Sequence, residues 1–340
     1  MRGTSLAELL IAMAIVLVVT GLAARVVIQA AEAFAWQPAA SELSQRADAL
    51  ARLLTADLTA AGAGPRVRLA PGDPPVETLR LRAWLPPILP RIVALDGGDP
   101  DDTAADDRLT ILTVADGAPQ AVVRPLPPRW GFVPGPTCPA LVDGCGFADG
   151  QPVLWLEGRP GFQLGEAEAV DADGLGAAGI TTTADGAVVA AVEVVGYRFD
   201  ATRRELLRGR SGGRGLPVAD DVTGFAVEWW GEADPPAGPW WTPGTESCVT
   251  LADGRPRLPP LGPPGGPPIR LDVARLTDGP WCGSPPFRFD ADLFRVRRVR
   301  IRLGLTAAAD ARGQAASPAR QVRDIELAID VTPPALRGPS

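Results

Sequence analysis

Histidine, lysine and asparagine are all absent from this chain of 340 residues. Without histidine the chain lacks the commonest general base of enzymes and the commonest protein ligand of transition metals. Its 33 basic residues are therefore all arginines, and 40 acidic residues give a formal net charge of −7. These absences weigh against histidine-dependent hydrolases and against histidine-ligated metal centres.

The missing histidine also decides how to interpret the segment Gly209-Arg210-Ser211-Gly212-Gly213, which matches the G-x-S-x-G motif of serine hydrolases. In those enzymes the motif leads from a strand into a helix and presents the serine to a histidine. Here Pro217 and Val222 lead into a predicted strand instead. We therefore interpret the segment as a hairpin loop and predict that the chain is not an enzyme of this class.

Cysteine is scarce, with four residues at Cys138, Cys145, Cys248 and Cys282. In an exported chain an even number of cysteines predicts disulfides, and four cysteines allow three connectivities. We favour the pairs Cys138–Cys145 and Cys248–Cys282, because each encloses a loop rich in proline and glycine. A zinc site with four thiolate ligands is the alternative, but the chain has no C-x2-C spacing.

Apolar residues are abundant, at 46%, and the chain has 38 glycines and 37 prolines. The apolar fraction is that of a folded protein rather than a disordered one. Glycine and proline at this level predict many turns. The length is sufficient for one large domain or two small domains behind the N-terminal segment.

The first long apolar run covers residues 6–24, which as a helix would be about 28 Å long, close to the thickness of a bilayer core. Arg25 ends this run. Glu8 lies inside it, and a carboxylate at the bilayer centre costs about 2.5 kcal/mol or more. Such a residue usually has a functional partner. We therefore predict a transmembrane segment over 6–24 with a functional glutamate near its start.

An amphipathic helix is predicted after this run, over residues 40–61. Its apolar residues recur every three or four positions, and charged residues occupy the other faces. The apolar stripe consists of Leu43, Ala47, Leu50, Leu54, Leu58 and Ala61. Together the two segments predict one long N-terminal helix over 4–64, which glycines and a proline end and which Pro38 kinks or interrupts.

The start of the chain reads Met1-Arg2-Gly3-Thr4, and Glu8 follows the glycine by five residues. This arrangement resembles the class III signal of type IV pilins and type II secretion pseudopilins, although that family usually has phenylalanine where this chain has Thr4. The resemblance implies a leader peptide over 1–3 that a prepilin peptidase removes between Gly3 and Thr4. It also implies N-methylation of Thr4 and pairing of Glu8 with the terminal amine of a neighbouring subunit during filament assembly.

Two other interpretations of the N-terminus stay open. A secretory signal would be cut after a site such as Ala33-Phe34-Ala35, so that the mature chain begins near Trp36. A plain membrane anchor would keep Met1, and Glu8 would then have no role. The pilin-like signal is favoured, because the leader before Glu8 is very short and the helical pattern continues beyond the secretory site.

Beyond residue 65 the spacing of apolar residues changes from the helical period to the alternation of β-strands. Predicted strands cover 78–84, 108–114, 152–156, 188–199, 222–230, 294–305 and 324–331. Segment 232–285, which contains several Pro-Pro pairs, predicts an irregular insertion held by Cys248 and Cys282. The expected fold class is α+β, with the long helix packed on a mainly antiparallel β-sheet domain over 65–340.

Several segments of this body follow the order found in one subgroup of pilins. They are Cys145-Gly146-Phe147, Val153–Leu156, Val194–Phe199, Glu205–Arg208, Pro217–Val222, Phe225–Trp230 and the arginine-rich Val296–Leu303. This order resembles the PilW family of minor pilins and the related J-type minor pseudopilin of type II secretion. The resemblance implies a non-enzymatic subunit without a cofactor, which initiates or caps a type IV pilus or a type II secretion pseudopilus.

The same resemblance implies a location and partners. The helix would first cross the inner membrane once, with the β domain in the periplasm, and would later enter the tip of a pilus or pseudopilus. The partners would be other pilin or pseudopilin subunits, the prepilin peptidase and the inner-membrane assembly platform. Two other classes stay open: a membrane-anchored periplasmic binding protein outside any filament, and an exported hydrolase that uses carboxylates.

Aspartates crowd the segment before the strand at Arg108, and Asp99, Asp101 and Asp102 are candidate ligands for calcium. Calcium takes six to eight oxygen ligands, which an acidic loop can supply. The segment lacks the residue spacing of an EF-hand, however. We therefore favour a solvated acidic loop over a calcium site.

Three arginines, Arg298, Arg300 and Arg302, alternate with apolar residues and would share one face of a strand. Such a stripe suits phosphate contacts in a DNA-binding protein. The other interpretation is a polar outer face of the sheet whose arginines pair with acids. The net charge of −7 favours the second interpretation over nucleic-acid binding.

Overall fold

The computed structural model describes residues 6–63, 86–91, 105, 107–115, 117–134, 138, 143–157, 161–178, 180, 186–210, 215–236, 247–282, 289–306 and 324–333. In these residues one long helix precedes a body built from antiparallel strands. The α+β class expected from the sequence is therefore confirmed.

Helix α1 covers Leu6–Ala60 and joins the apolar run and the amphipathic segment into one element about 80 Å long. It continues through Pro38 as one element, so of the kink or interruption expected there the interruption is wrong. A proline removes a single helical hydrogen bond, and the alanine-rich sequence on both sides favours helix. The helix ends before Gly62, whose φ of 79° is the left-handed conformation that stops a helix. The Gly62 amide then donates to the carbonyl of Leu112, at 3.0 Å, and so joins the helix end to the body.

The described part of the body contains short strands connected by turns and by three 3-10 helices, at Asp143–Gly146, Val273–Thr277 and Ala291–Arg295. The strands are β1 (Ile88–Leu89), β2 (Arg108–Thr113), β3 (Gln120–Leu126), β4 (Arg129–Val133), β5 (Pro152–Glu157), β6 (Gly161–Glu168), β7 (Gly174–Ala178), β8 (Ala187–Ala191), β9 (Glu193–Asp200), β10 (Glu205–Arg210), β11 (Leu216–Ala219), β12 (Val222–Gly231), β13 (Ile269–Leu271), β14 (Trp281–Cys282), β15 (Phe289–Asp290), β16 (Val296–Thr306) and β17 (Asp324–Val331).

Two antiparallel sheets hold the C-terminal half of α1. The first sheet has the order β1-β2-β9-β10-β11, and the second has the order β13-β12-β16-β17. α1 packs on β2 and β11 of the first sheet and on β16 and β17 of the second. The main hydrophobic core lies between the helix and these sheets, and Leu54, Leu58, Val227 and Ile301 are among its buried residues.

A closed barrel with the strand order β3-β4-β7-β6-β5-β8 lies between β2 and β9 in the chain. β2 and β9 pair directly, with Thr113 opposite Glu193, so the whole barrel occupies the connection of what is otherwise a hairpin. The barrel has its own core, which includes Val153, Trp155 and Val189. The alternate residues Leu154 and Val188 belong to the main core. Because successive residues of a strand point to opposite faces, β5 and β8 serve both cores and fasten the barrel to the body.

The structure changes the expected strands in two places. The single strand expected over 188–199 is two strands, β8 in the barrel and β9 in the first sheet, which meet at Val192. The strand expected from residue 294 begins at Val296, because Asp290 caps a 3-10 helix at Ala291–Arg295. The strand expected over 78–84 lies outside the described residues. In the segment 232–285, β13 pairs with β12, so this part of it belongs to the second sheet.

Candidate functional site

The N-terminal half of α1 is exposed along its whole described length. Every residue from Leu9 to Ala31 is exposed, and most of them are apolar. Among the described residues, Leu9–Ala31 is the one stretch long and apolar enough to cross a membrane, with a mean hydropathy of 2.5. It continues past the expected end at residue 24 and includes Arg25, whose long side chain can extend toward a polar surface. By length and composition this half suits a membrane anchor or a signal sequence.

The C-terminal half of α1 has one buried stripe. Its buried residues are Leu43, Ala47, Leu50, Leu54, Leu58 and, just beyond the helix, Ala61. These are the residues expected from the spacing of three and four, which places them on one side of a helix. The charged residues Glu42 and Asp48 lie on the exposed side. This half is therefore fixed to the body, whereas the first half has no contact surface in the described part of the chain.

A buried polar cluster joins α1 to the first sheet, and we call Asp57, Tyr197 and Arg208 the helix clamp. The Tyr197 hydroxyl donates to Asp57 Oδ2 at 2.5 Å. The Arg208 guanidinium donates through Nε to Asp57 Oδ2 at 2.8 Å and through Nη2 to Oδ1 at 3.0 Å. Tyr197 is fully buried, and the side chains of Asp57 and Arg208 are only 15% and 12% exposed. One helix residue thus has both carboxylate oxygens bonded to two neighbouring strands, β9 and β10.

Two groups of the helix clamp, Tyr197 and Arg208, keep their protons over the ordinary pH range. Burial, and after it the bond to Asp57, raises the pKa of Tyr197. Burial acts to lower the pKa of Arg208, but the bonds to Asp57 and Tyr197 outweigh it and raise that pKa. The phenol therefore stays protonated and the guanidinium stays charged. All three groups bond to one another, so the cluster holds α1 at one rotation and one height on the sheet.

A second contact between α1 and the body lies at the surface. Arg46 forms an ion pair with Asp220, in the turn between β11 and β12. The same guanidinium donates to the backbone carbonyl of Asp220 at 3.0 Å. Exposed ion pairs contribute little, so this contact orients the helix more than it stabilises it.

The residues at which N-terminal cleavage, N-methylation and filament pairing are expected lie at or before the first described residues of α1. Gly3 and Thr4 lie outside the described residues. Glu8 belongs to the first turns of α1, and its side chain is not among those described. The candidate calcium ligands Asp99, Asp101 and Asp102 also lie outside the described residues.

The four cysteines form two disulfides, Cys138–Cys145 and Cys248–Cys282. This is the favoured pairing, and it leaves no thiolate for the alternative zinc site. The first disulfide closes a loop in the barrel, and the second joins the loop after β12 to β14. The disulfides therefore hold loops of the body rather than forming a reactive site.

An acidic cluster that the sequence analysis missed consists of Asp278, Asp290 and Asp292, with one carboxylate oxygen of each within 4.8 Å of the others. Asp290 accepts from the Gly279 amide at 2.5 Å and from the Asp292 amide at 2.7 Å. Burial raises the pKa of Asp290 to about 6. Asp292 pairs with the buried Arg295. The cluster therefore caps the turn at Gly279 and the 3-10 helix at Ala291–Arg295. The spacing of these aspartates in the sequence does not predict the cluster, because a turn and the pairing of β14 with β15 bring them together.

The arginine stripe lies on the outer face of the second sheet. Arg298 and Arg300 pair with Asp330, and Arg302 pairs with Glu228. The polar outer face paired with acids, which the net charge favours, is the arrangement present in the described strands.

Searches of family models, curated proteins and solved structures find no match to this chain.

Proposed function

We propose that the chain is a minor pilin or pseudopilin, a structural subunit that initiates or caps a type IV pilus or a type II secretion pseudopilus. A prepilin peptidase would remove residues 1–3, and the mature chain would begin at Thr4. The observation that carries the proposal is the division of one continuous helix. Residues 9–31 are apolar and exposed, while the later half of the same helix is packed on a β body.

A helix of this kind suits a subunit that leaves a membrane for a filament. The half of α1 over Leu9–Ala31 is apolar apart from a few residues such as Arg25, so it needs an apolar environment in each location. Helices of neighbouring subunits offer surroundings of a polarity similar to that of lipid. Transfer from bilayer to filament therefore does not expose this surface to water.

Glu8 has a specific role in this proposal. A carboxylate in an apolar helix bundle needs a cationic partner, and the terminal amine of a neighbouring subunit would supply one. Pairing of this kind fixes the axial register between subunits more than it adds stability. Glu8 would therefore decide where a new subunit docks.

The helix clamp would connect this movement to the body. When α1 is drawn out of the membrane, the β body has to follow the helix. Asp57, Tyr197 and Arg208 fix the helix to two strands at a buried point, so displacement of the helix is transmitted to the sheet. The disulfides in the body suit an oxidising compartment such as the periplasm.

The N-terminus of the mature protein tests cleavage. We expect mass spectrometry of the purified chain, from cells with an active prepilin peptidase, to find Thr4 as the first residue. Cells without the peptidase should yield a chain that begins at Met1. If Met1 persists with the active peptidase, the chain is a plain anchor, and a start near Trp36 indicates a secretory signal.

The variant Glu8→Ala tests assembly separately from insertion. We expect the variant to enter the membrane normally but to be lost from sheared filaments or from crosslinked tip complexes. Glu42→Ala is the matched control, because Glu42 is an exposed glutamate on the packed half of the same helix. Normal incorporation of the Glu8→Ala chain contradicts the proposed role.

A further inference from the structure

The outer face of the second sheet brings four arginines together across neighbouring strands. Arg270 on β13 and Arg298 on β16 flank Trp230 on β12 in register. Arg300 lies between Glu228 of β12 and Asp330 of β17. Residues in register on adjacent strands point to the same side, opposite the buried Trp229, Val299 and Ile301. We call this surface the arginine face; it consists of Arg270, Trp230, Glu228, Arg298, Arg300, Arg302 and Asp330.

Two carboxylates serve the four guanidinium groups. Glu228 Oε1 lies 3.0 Å from Arg302 Nη2 and 3.8 Å from Arg270 Nη2. Asp330 lies 2.9 Å from Arg300 Nη2 and 3.4 Å from Arg298 Nε. Each of these two acids is shared by two arginines. Glu326 also lies on this side of β17, opposite Gly304, so the face with Glu326 counted carries four guanidinium groups and three carboxylates. The sign is opposite to that of the whole chain, whose net charge is −7.

Two of the four guanidinium groups are largely exposed, and the other two lie over a tryptophan ring. The side chains of Arg270 and Arg302 are 65% and 51% exposed. The guanidinium groups of Arg298 and Arg300 lie 4.8 Å and 5.9 Å from the centre of the Trp230 ring, which orients them by cation–π attraction. A guanidinium has five N–H donors, and the contacts to Glu228 and Asp330 use few of them. Arg270 and Arg302 therefore keep donors for a ligand, whereas Arg298 Nε is buried, 3.4 Å from Asp330.

We propose that the arginine face is a docking surface for a carboxylate-rich segment of a partner protein. Guanidinium groups match carboxylates in a two-pronged geometry, and their positions on rigid strands lower the entropy lost on binding. Two observations favour an acidic polypeptide over a nucleic acid. Guanidinium groups lie over the ring of Trp230, the aromatic residue of the arginine face, so this ring is not free for a base to stack on. The four arginines also form a compact patch on an acidic molecule, whereas a nucleic acid needs an extended positive track.

This inference does not depend on the proposed function, because it concerns only the body and its charges. The full chain in a neutral detergent is titrated against a fluorescent oligoglutamate peptide at low and at moderate salt, with anisotropy as the signal. Oligoglutamine of the same length and a short single-stranded DNA serve as comparison probes. We expect oligoglutamate to bind best, with an affinity that falls as salt rises.

The variants change the charge of the arginine face in both directions. Arg300→Gln with Arg302→Gln should weaken oligoglutamate binding about tenfold, and each carboxylate keeps one arginine, so the sheet should stay folded. Asp330→Asn adds one uncompensated positive charge and should tighten binding by about two- to fivefold. Arg210→Gln is the matched control, since Arg210 is a strand arginine 64% exposed that pairs with Glu193.

Each other result overturns the inference. If the wild-type chain does not bind oligoglutamate at low salt, the arginine face is not a docking surface. If Arg210→Gln weakens binding as much as the double variant, the attraction is not specific to this face. If the DNA binds more tightly and the same variants weaken it, the partner is a nucleic acid. If Asp330→Asn fails to tighten binding, the uncompensated charge is not what attracts the probe.

Discussion

The two halves of α1 have the same backbone conformation but different surroundings. Residues 9–31 are exposed on all sides, whereas the later half buries one stripe of leucines against two sheets. The difference follows from side-chain pattern, because the first half is apolar all round and the second is apolar on one side only. A single helix can therefore belong to a membrane or bundle at one end and to a folded domain at the other.

The two halves also differ in where the carboxylate they carry finds its partner. Glu8 belongs to the half of α1 that is exposed from Leu9 to Ala31, and its side chain lies outside the described residues. Asp57 lies in the packed half, where a tyrosine and an arginine of the same chain bond to both of its oxygens. The carboxylate of Asp57 is thus bonded within the chain, and in our proposal the carboxylate of Glu8 depends on another subunit for its partner.

Asp57→Ala should give the largest effect on the packed half. It leaves the Arg208 guanidinium and the Tyr197 hydroxyl buried without their acceptor, and we expect the free energy of unfolding of the body to fall by about 3 to 5 kcal/mol. Urea unfolding of the full chain in detergent, followed by tryptophan fluorescence, measures this. Asp48→Ala, an exposed aspartate on the same helix, is the control. Equal stability of the two variants contradicts the importance of the helix clamp.

A pair of leucine variants tests the comparison itself. Leu58 is 0% exposed and Leu17 is 73% exposed. We expect Leu58→Ala to lower the free energy of unfolding by about 2 to 5 kcal/mol, because it leaves a cavity in the main core. Leu17→Ala should change it by less than about 0.5 kcal/mol. The same urea experiment measures both variants. If Leu17→Ala lowers the free energy of unfolding as much as Leu58→Ala, the two halves do not differ in their packing on the body.

The smallest effect expected in the packed half concerns the hydroxyl of Tyr197, the only tyrosine of the chain. Because its pKa is raised in the folded state, it contributes stability that is fully present below about pH 10 and is lost as the pH rises further. Absorbance of tyrosinate should therefore appear only together with alkaline unfolding. Tyr197→Phe should cost about 1 kcal/mol at neutral pH and lose less stability above pH 10. If tyrosinate absorbance appears just above pH 10 while the chain is still folded, the pKa of Tyr197 is not raised by the fold.

The local pattern of apolar residues was sufficient to predict several elements. The stripe from Leu43 to Leu58 repeats at helical spacing, and β2, β12 and β17 lie within a residue or two of their expected bounds. Each of these depends on neighbours in sequence, where periodicity carries the information. The cysteine pairing was also favoured correctly, since each disulfide closes a loop within one stretch of chain.

The barrel and the helix clamp were not predicted from the sequence. The barrel strands are short, and β7 contains Gly174 and Gly176, which weaken any strand pattern. The clamp joins Asp57 to Tyr197 and Arg208, which lie far apart in the chain. No local period connects such residues, and only the pairing of strands brings them together.

The amino-acid sequence by itself determined the long helix, the contrast between its two halves and the largely β character of the body, because these follow from the spacing of apolar residues. Only the tertiary structure decided that β2 and β9 pair across a whole barrel and that Asp57 meets Tyr197 and Arg208. It also decided that four arginines share two carboxylates on one sheet face. These contacts depend on which distant strands become neighbours, and burial and register in three dimensions select them.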